Sequence, residues 1–253
     1  MLATLAALIS AIAVGGCSSY MVPGQAADFR ALGITKERVD ELTDVGIAKR
    51  LERKPLAGFP ANIAVAQVQG DRYRSQTSEG YGDGRYTIVT NSDVDSDAAF
   101  KKLSALPMIA GIAPLNRLVV PKRIDTEEDL RNAAANVQAD MLLIYTFDTT
   151  FETQDKIRPL GVITLGLFPD RVARVNSTAS AALLDTRNGY IYGLAEGTGK
   201  KQNITNAWWT KSTLDASRRD AEQQAFDQMA EKLATLWSDV AQRYGPERET
   251  ARR

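Results

Sequence analysis

Apolar positions along this chain recur in two periods, one helical and one alternating, and the switches between them mark its elements. Residues Met1 to Gly16 are almost wholly apolar and carry no charge. From Asp28 to Arg53 the composition turns charged, and Val39, Leu42, Val45, Ile47 and Leu51 recur at near-helical spacing. The pattern predicts a helical segment over 28–54 that packs on the main domain or acts as a stalk, with packing favoured because its apolar stripe needs cover. Lys54-Pro55, Gly58 and Pro60 end it.

The main domain is expected over 61–244. Its first strand is predicted over Asn62–Gln69, with Ile63, Val65 and Gln67 on one face. The polar stretch Gly70–Gly84 follows, with Gly80, Gly82 and Gly84 read as a loop or hairpin tip. Arg85–Thr90 reads as a second strand or as a helix-to-strand connector. Asp95 or Ser96 is placed to cap a helix through Ala105, with Phe100 and Leu103 inward. Leu115–Val120, bounded by Pro114 and Pro121, reads as a short strand. Thr126-Glu127-Glu128-Asp129 is a capping-box variant opening a helix to about Gln138 that buries Leu130, Ala133, Ala134 and Val137. Met141–Phe147 is a near-continuous apolar run, which suits a central strand covered on both faces.

Asp148–Arg171 reads as a long mixed connection. Arg174–Asp185 and Tyr190–Lys201 are predicted as two strands, since Asn188-Gly189 between them is a strong hairpin signal. A long amphipathic helix is predicted over Leu214–Tyr244. Its stripe is Phe226, Met229, Ala230, Leu233, Leu236, Trp237, Val240 and Tyr244, and Gly245-Pro246 stops it. Residues 245–253 form a charged tail. The order implies an α/β fold: a mixed β-sheet with flanking helices, a central β-hairpin and a long C-terminal amphipathic helix.

Composition narrows the chemistry. Lys plus Arg is 31 and Asp plus Glu is 31, so the net charge is zero, without the basic excess of a nucleic-acid binder. The chain has no histidine, which removes Ser-His-Asp and Cys-His catalysis and His-ligated metals. Its one cysteine, Cys17, allows no intrachain disulfide. No metal and no cofactor is expected. Asp93-Val94-Asp95-Ser96-Asp97 opens like a calcium loop, but Ala98 and Ser104 stand where an EF-hand needs Gly and Glu. Asp140, Asp148, Glu152 and Asp185 could in principle supply a carboxylate pair for a hydrolase. Asp185 is better read as a turn former before Asn188-Gly189.

The amino terminus reads as an address. The apolar run 1–16 falls short of the roughly 20 residues that span a bilayer and fits the core of a secretory signal. It lacks an early Lys or Arg, the first basic residue being Arg30. Val14-Gly15-Gly16-Cys17 resembles a bacterial lipobox, which implies removal of 1–16 and acylation of Cys17. Residues 17–27 would then be the lipidated cysteine and a tether. Ser18, where Asp would favour inner-membrane retention, points to the outer membrane facing the periplasm.

The element order on such a chain resembles a group of bacterial envelope lipoproteins. The group includes the curli-secretion lipoprotein, the activators of penicillin-binding proteins and the amino-terminal domain of the Tol-system propeller protein. Ala139-Asp140-Met141-Leu142-Leu143-Ile144 and Leu183-Leu184-Asp185-Thr186-Arg187-Asn188-Gly189 carry the likeness. More narrowly, the chain resembles the rhombotarget lipoprotein family. The shared stretches are Phe100–Pro107, Ile109–Ile112, the Asp140 strand, Leu160–Pro169, Ala181–Asp185 and Tyr192–Lys200. The resemblance implies fold and location and brings no catalytic residues.

The expected function is therefore a non-enzymatic, lipid-anchored envelope module that binds another envelope protein. Candidate contacts are Trp208, Trp209, Leu160, Ile163, Leu165, Leu167 and Phe168. The tryptophan pair reads as a cap over the sheet edge or as a partner contact. The apolar stretch reads as a buried strand or flap or, if exposed, a partner surface. The alternatives are a homo-oligomeric secretion-channel subunit, which needs Leu160–Phe168 to pair in lipid, and a carboxylate-dependent hydrolase.

Overall fold

A computed structural model of the chain describes residues 22–23, 25–27, 44–155, 171–205 and 211–246. Ten elements follow in order: α1 (Asp44–Leu51), β1 (Ala61–Gly70), β2 (Tyr86–Ile88), α2 (Asp97–Ser104), β3 (Ile109–Pro114), α3 (Glu127–Asn136), β4 (Met141–Asp155), β5 (Arg171–Asp185), β6 (Ile191–Thr205) and α4 (Lys211–Tyr244). The strands form one six-stranded mixed sheet in the order β2-β1-β4-β5-β6, with β3 also paired to β1. The pairs β1–β3 and β1–β4 are parallel, and β1–β2, β4–β5 and β5–β6 are antiparallel. The predicted α/β class, mixed sheet, hairpin and long final helix are all present.

Each face of the sheet has its own core because side chains alternate along a strand. Ile63, Val65, Leu143, Tyr145, Phe147 and Leu183 pack beneath α4 and α2. The α4 stripe answers with Phe226, Met229, Leu233, Trp237 and Val240, all buried. On the opposite face Ala64, Ala66, Leu142 and Ile144 meet Leu130, Ala133 and Ala134 of α3. Each large side chain so buried contributes roughly 1.5–3 kcal/mol. The run Met141–Ile144 is apolar throughout because β4 is covered on both sides. The capping box of α3 is complete: Asp129 N–H donates to the Thr126 hydroxyl, and the Asp129 carboxylate accepts from Thr126 N–H at 3.0 Å.

The hairpin strands run longer than the sequence predicts. β4 continues from Phe147 to Asp155, and its ladder with β5 is unbroken from Met141↔Asp185 to Asp155↔Arg171. The extension is polar but rich in Thr, a β-branched residue that suits a pleated surface. The expected mixed connection therefore begins only after Asp155, and 156–170 lies outside the described residues.

Two expectations fail. Leu115–Val120 is not a strand; the strand is Ile109–Pro114, just before it. Asn116 makes the difference, since its side chain accepts from Leu118 N–H at 2.9 Å and its carbonyl from the N–H groups of Val119 and Val120. That turn leaves Leu118 92% exposed. The described part of the 28–54 segment also lacks the cover that packing would give: in α1, Val45 is 66% and Leu51 81% exposed, and Ile47 is exposed as well. With only two turns, α1 buries Gly46 alone.

The final strand, β6, ends the strand order, and α4 lies close along it. Gly197 and Gly199 permit the approach: a Cβ there would stand 2.2 Å from the Ala225 carbonyl and 2.0 Å from that of Ala221. The helix also covers backbone groups of β6. Lys200 N–H and Thr198 N–H donate to the side-chain oxygens of Gln224 and Gln228, both at 3.4 Å, and Lys232 Nζ donates to Glu196 O at 2.7 Å. The registers match, because four helical residues rise about 6 Å and two strand residues about 6.8 Å.

Candidate functional site

β1 is paired twice along one side. β3 takes Ala61 to Val65, and β2 takes Val68 to Gly70. Between them the neighbouring chains diverge: Leu115 N–H donates to Val65 O at 2.8 Å, and Val89 N–H to Gln67 O at 2.9 Å. The crossovers diverge as well, β3 lying on one side of β1 and β4 on the other. Such a switch at strand carboxyl ends leaves a crevice, the usual ligand position in open α/β sheets.

A cavity of about 680 Å³ occupies this fork. Val65, Gln67 and Tyr145 from the sheet form its floor, and Phe100, Ile112 and Leu115 add apolar wall. Asn91, Ser92, Asp95 and Lys101 stand among its polar lining. Two polar groups stand on the floor. Gln67 is 6% exposed, and its Oε1 accepts no hydrogen bond. The buried Tyr145 hydroxyl has its pKa raised by burial alone, with no charged or hydrogen-bonding neighbour contributing. Buried polar groups are normally satisfied; among the described residues Gln67 Oε1 shares its lack of a partner with Arg131 Nε and Thr186 Oγ1, which lie outside the cavity lining.

The segment carrying Asn91 and Asp95 is held by α4. Arg218 is fully buried, and its guanidinium contacts Asp93 at 2.7 Å, Asp215 at 2.9 Å and Glu222 at 2.6 Å. Glu222 also accepts from the Thr149 hydroxyl at 3.0 Å, which in turn lies 3.0 Å from the Ser177 hydroxyl. Gln223 bonds the backbone of Asp95 twice, accepting from its N–H at 2.9 Å and donating to its carbonyl at 3.1 Å. Three carboxylates thus face one guanidinium, and the environments of Glu222 and Asp93 shift these two in opposite directions. Burial raises the pKa of Glu222 despite Arg218 beside it. Burial would raise Asp93 too, but hydrogen bonds from Thr77, Arg218 and Ser75 and the charge of Arg218 hold it below its ordinary value.

The Asp93–Asp97 stretch therefore faces inward in part. Asp93 serves Arg218, Asp95 Oδ1 accepts from Asp97 N–H at 3.3 Å, and Ser96 is the N-cap position of α2. Among the described residues no three His, Cys, Asp or Glu side chains form a metal-ion site. Two of the four carboxylates of the hydrolase reading hold structure, and the other two stand apart from them. Asp140 accepts from Asn62 N–H and pairs with Arg187. Asp185, fully buried, takes Leu56 N–H at 2.6 Å, the Tyr192 hydroxyl at 2.9 Å and Arg187 N–H at 2.9 Å. Asp148 and Glu152 are exposed on β4.

Cys17, Leu160, Ile163, Leu165, Leu167, Phe168, Trp208 and Trp209 all lie outside the described residues. No helix among the described residues is long and apolar enough to cross a membrane. Sequence reasoning placed Gln67 on the correct face of β1 but assigned it no role. Asp215, Arg218 and Glu222 went unnoticed, although their i, i+3 and i, i+4 spacing sets all three on one side of α4.

No protein-family model matches the chain, and no curated protein matches it. Among solved structures it is similar to lipoprotein GNA1162 from Neisseria meningitidis, 15% identical, covering 62% of this chain and 91% of that one at a TM-score of 0.29. It is similar to protein XCC0632 from Xanthomonas campestris, 11% identical, over 76% and 90% of the two chains at 0.30. It is also similar to a PelC dodecamer from Paraburkholderia phytofirmans, 11% identical, over 73% and 94% at 0.26. Solved structures like this chain thus include a bacterial lipoprotein. At these TM-scores the likeness decides neither fold nor function.

Proposed function

We propose that this chain is a lipid-anchored envelope lipoprotein whose α/β domain binds another envelope protein and performs no chemistry itself. In this reading residues 1–16 are removed as a signal peptide and Cys17 is acylated. Residues 18–27 then tether the domain to the periplasmic face of the outer membrane. Two acyl chains already give stable anchoring. Confinement to the membrane raises the effective concentration of a membrane-bound partner, so modest intrinsic affinity suffices.

The observation that carries the binding role is the cavity floor. A neutral amide, Gln67, and a phenol held protonated, Tyr145, can make hydrogen bonds but are poorly suited to take a proton during turnover. Leu160–Phe168 and the Trp208-Trp209 pair remain candidates for further partner contact. The test has two arms in intact cells. Labelled fatty acid is expected on the wild type and absent from Cys17→Ser. A photoreactive residue in place of Lys101, on the cavity lining, is expected to capture an envelope protein. Recovery of the chain from the cytosol with residues 1–17 intact and unacylated overturns the anchoring. Capture of no protein from Lys101 overturns the binding role of this site.

A further inference from the structure

We propose that the rim at the carboxyl end of β1 is the face this domain lays on its own membrane, with Arg72 and Arg85 meeting the phosphates of anionic lipid and Leu118 entering the acyl boundary. This rests on the acylation of Cys17 and adds an orientation to it. The amino-terminal segment supplies the first observation. Ala26 forms an antiparallel bridge with Gln69, Gly70 N–H donates to Gln25 O at 3.0 Å, and Ala27 N–H donates to Thr146 Oγ1 at 2.8 Å. Ala27 is buried in this contact. Because the segment runs antiparallel to β1, Gln25 stands at the carboxyl end of that strand. Gln25 follows Cys17 by eight positions, a reach of at most about 29 Å. The anchor is thereby held close to this rim.

The rim itself is the second observation. Gly70 pairs with Tyr86, whose N–H donates to Ile124 O at 3.0 Å, so the chain at Gln25, β1, β2 and Ile124 lies side by side. Three strand spacings, about 14 Å, cross it, well within that reach. Arg72 and Arg85 flank the paired level, exposed and, among the described residues, in no ion pair. Lys122 and Arg123 beside them pair with Asp83 and Asp125. Leu118, 92% exposed, tips the turn leading into this segment, next to the exposed Arg117. An apolar tip among basic groups suits an interface of anionic phosphate over acyl chain. The other exposed apolar face, α1, lies at the opposite end of the sheet. Asn188 Nδ2 holds Lys54 O at 2.7 Å there, beside the β5–β6 turn, and the ten residues of β1 span roughly 30 Å between the two ends. The leash would have to be drawn taut along the sheet to bring the bilayer to α1.

The test returns the acylated chain, purified in detergent, to vesicles of phosphatidylethanolamine and phosphatidylglycerol. Acylation consumes the thiol of Cys17 and the chain has no other cysteine, so a nitroxide on Leu118→Cys, Leu51→Cys or Leu194→Cys is a sole label. Its collision rates with oxygen and with a nickel chelate separate lipid from water. The label at position 118 is expected in lipid, and those at 51 and 194 in water. Arg72→Gln and Arg85→Gln are each expected to lower the ratio of embedded to free label at 118 about fivefold, with the thermal midpoint unchanged. Vesicles of phosphatidylcholine alone are expected to lower it further. A label at 118 as open to nickel as that at 194, a label at 51 in lipid, or embedding indifferent to both arginines and to lipid charge overturns the proposal. The mass of the purified chain keeps the anchor separate. An acylated chain with position 118 in water overturns the rim alone; an unacylated chain overturns the anchor and the rim with it.

Discussion

Arg218 meets Asp93 at 2.7 Å across 125 positions of chain, and that contact joins the last helix to the lining of the cavity. Asp93 stands between Ser92 and Asp95, both lining residues. The guanidinium is fully buried, so its partners share a site from which water is excluded. Removing one side of such a group leaves the others charged and unpaired. Arg218→Met should therefore cost about 3–5 kcal/mol of folding stability. Arg218→Lys should recover little of it, because one ammonium cannot reproduce a planar fork serving three carboxylates. Urea unfolding of the two variants beside the wild type measures both effects.

The same group gives a pH dependence with two opposed limbs. The Asp93 pKa is held below 3.8, so its contribution is present above that pH and is lost as pH falls through the folded value. The Glu222 pKa is raised above 4.5, so its contribution is full below that pH and is lost as pH rises through the folded value. Glu222→Gln should abolish the second limb: relative to this variant, wild-type stability should decline from about pH 4.5 upward. Denaturant unfolding between pH 4 and pH 8 reads the difference, and parallel curves would contradict the assignment.

Close approach of α4 to β6 makes Gly197 and Gly199 sensitive positions. A methyl group at Gly199 would meet the Ala221 carbonyl at 2.0 Å, where backbone rather than a flexible side chain must move. Gly199→Ala should cost about 1–3 kcal/mol as overpacking. Gly111→Ala, whose added Cβ would stand 3.3 Å from Asn62 Oδ1, should cost far less. Thermal unfolding of the pair makes the comparison within one strand-rich domain.

Much of this fold is legible in the residues, for reasons that differ by element. The β5–β6 hairpin is marked by Asn188-Gly189, where Gly189 adopts φ of +71° and the Asn188 side chain accepts from Tyr190 N–H. The final helix is marked by a sustained apolar stripe, and α3 by Thr126 and Asp129. β3 is harder to find because Ile-Ala-Gly-Ile-Ala-Pro has small residues and no clean alternation. Parallel pairing to β1 sustains it, which is a nonlocal fact. The cavity is less legible still, since Gln67, Tyr145 and Phe100 meet only through strand order. Arg218 lies in Ser-Arg-Arg-Asp, a stretch that reads as solvated helix surface; only its neighbours Ala221 and Ala225, both buried, hint at the inward face.

Side chains of α4 reach the backbone of β6 at three points, and removing two of them should expose strand edge. Gln224→Ala with Gln228→Ala frees the N–H groups of Thr198 and Lys200. Unfolding stability should fall by no more than about 2 kcal/mol, since each neutral hydrogen bond contributes about 0.5–1.5 kcal/mol. Self-association should rise with concentration, as expected for an uncovered strand edge. Light scattering across a concentration series checks this; a variant as monodisperse as its parent would show that the two glutamines do not guard the strand.

Those glutamines and Lys232 carry a lesson for anyone reshaping the molecule. A binding loop inserted at the Asn188-Gly189 turn would extend the hairpin while leaving the helix in place as a chaperone in cis. A polypeptide cut short before α4 would leave its longest antiparallel ribbon bare, and in concentrated solution it should seed fibres.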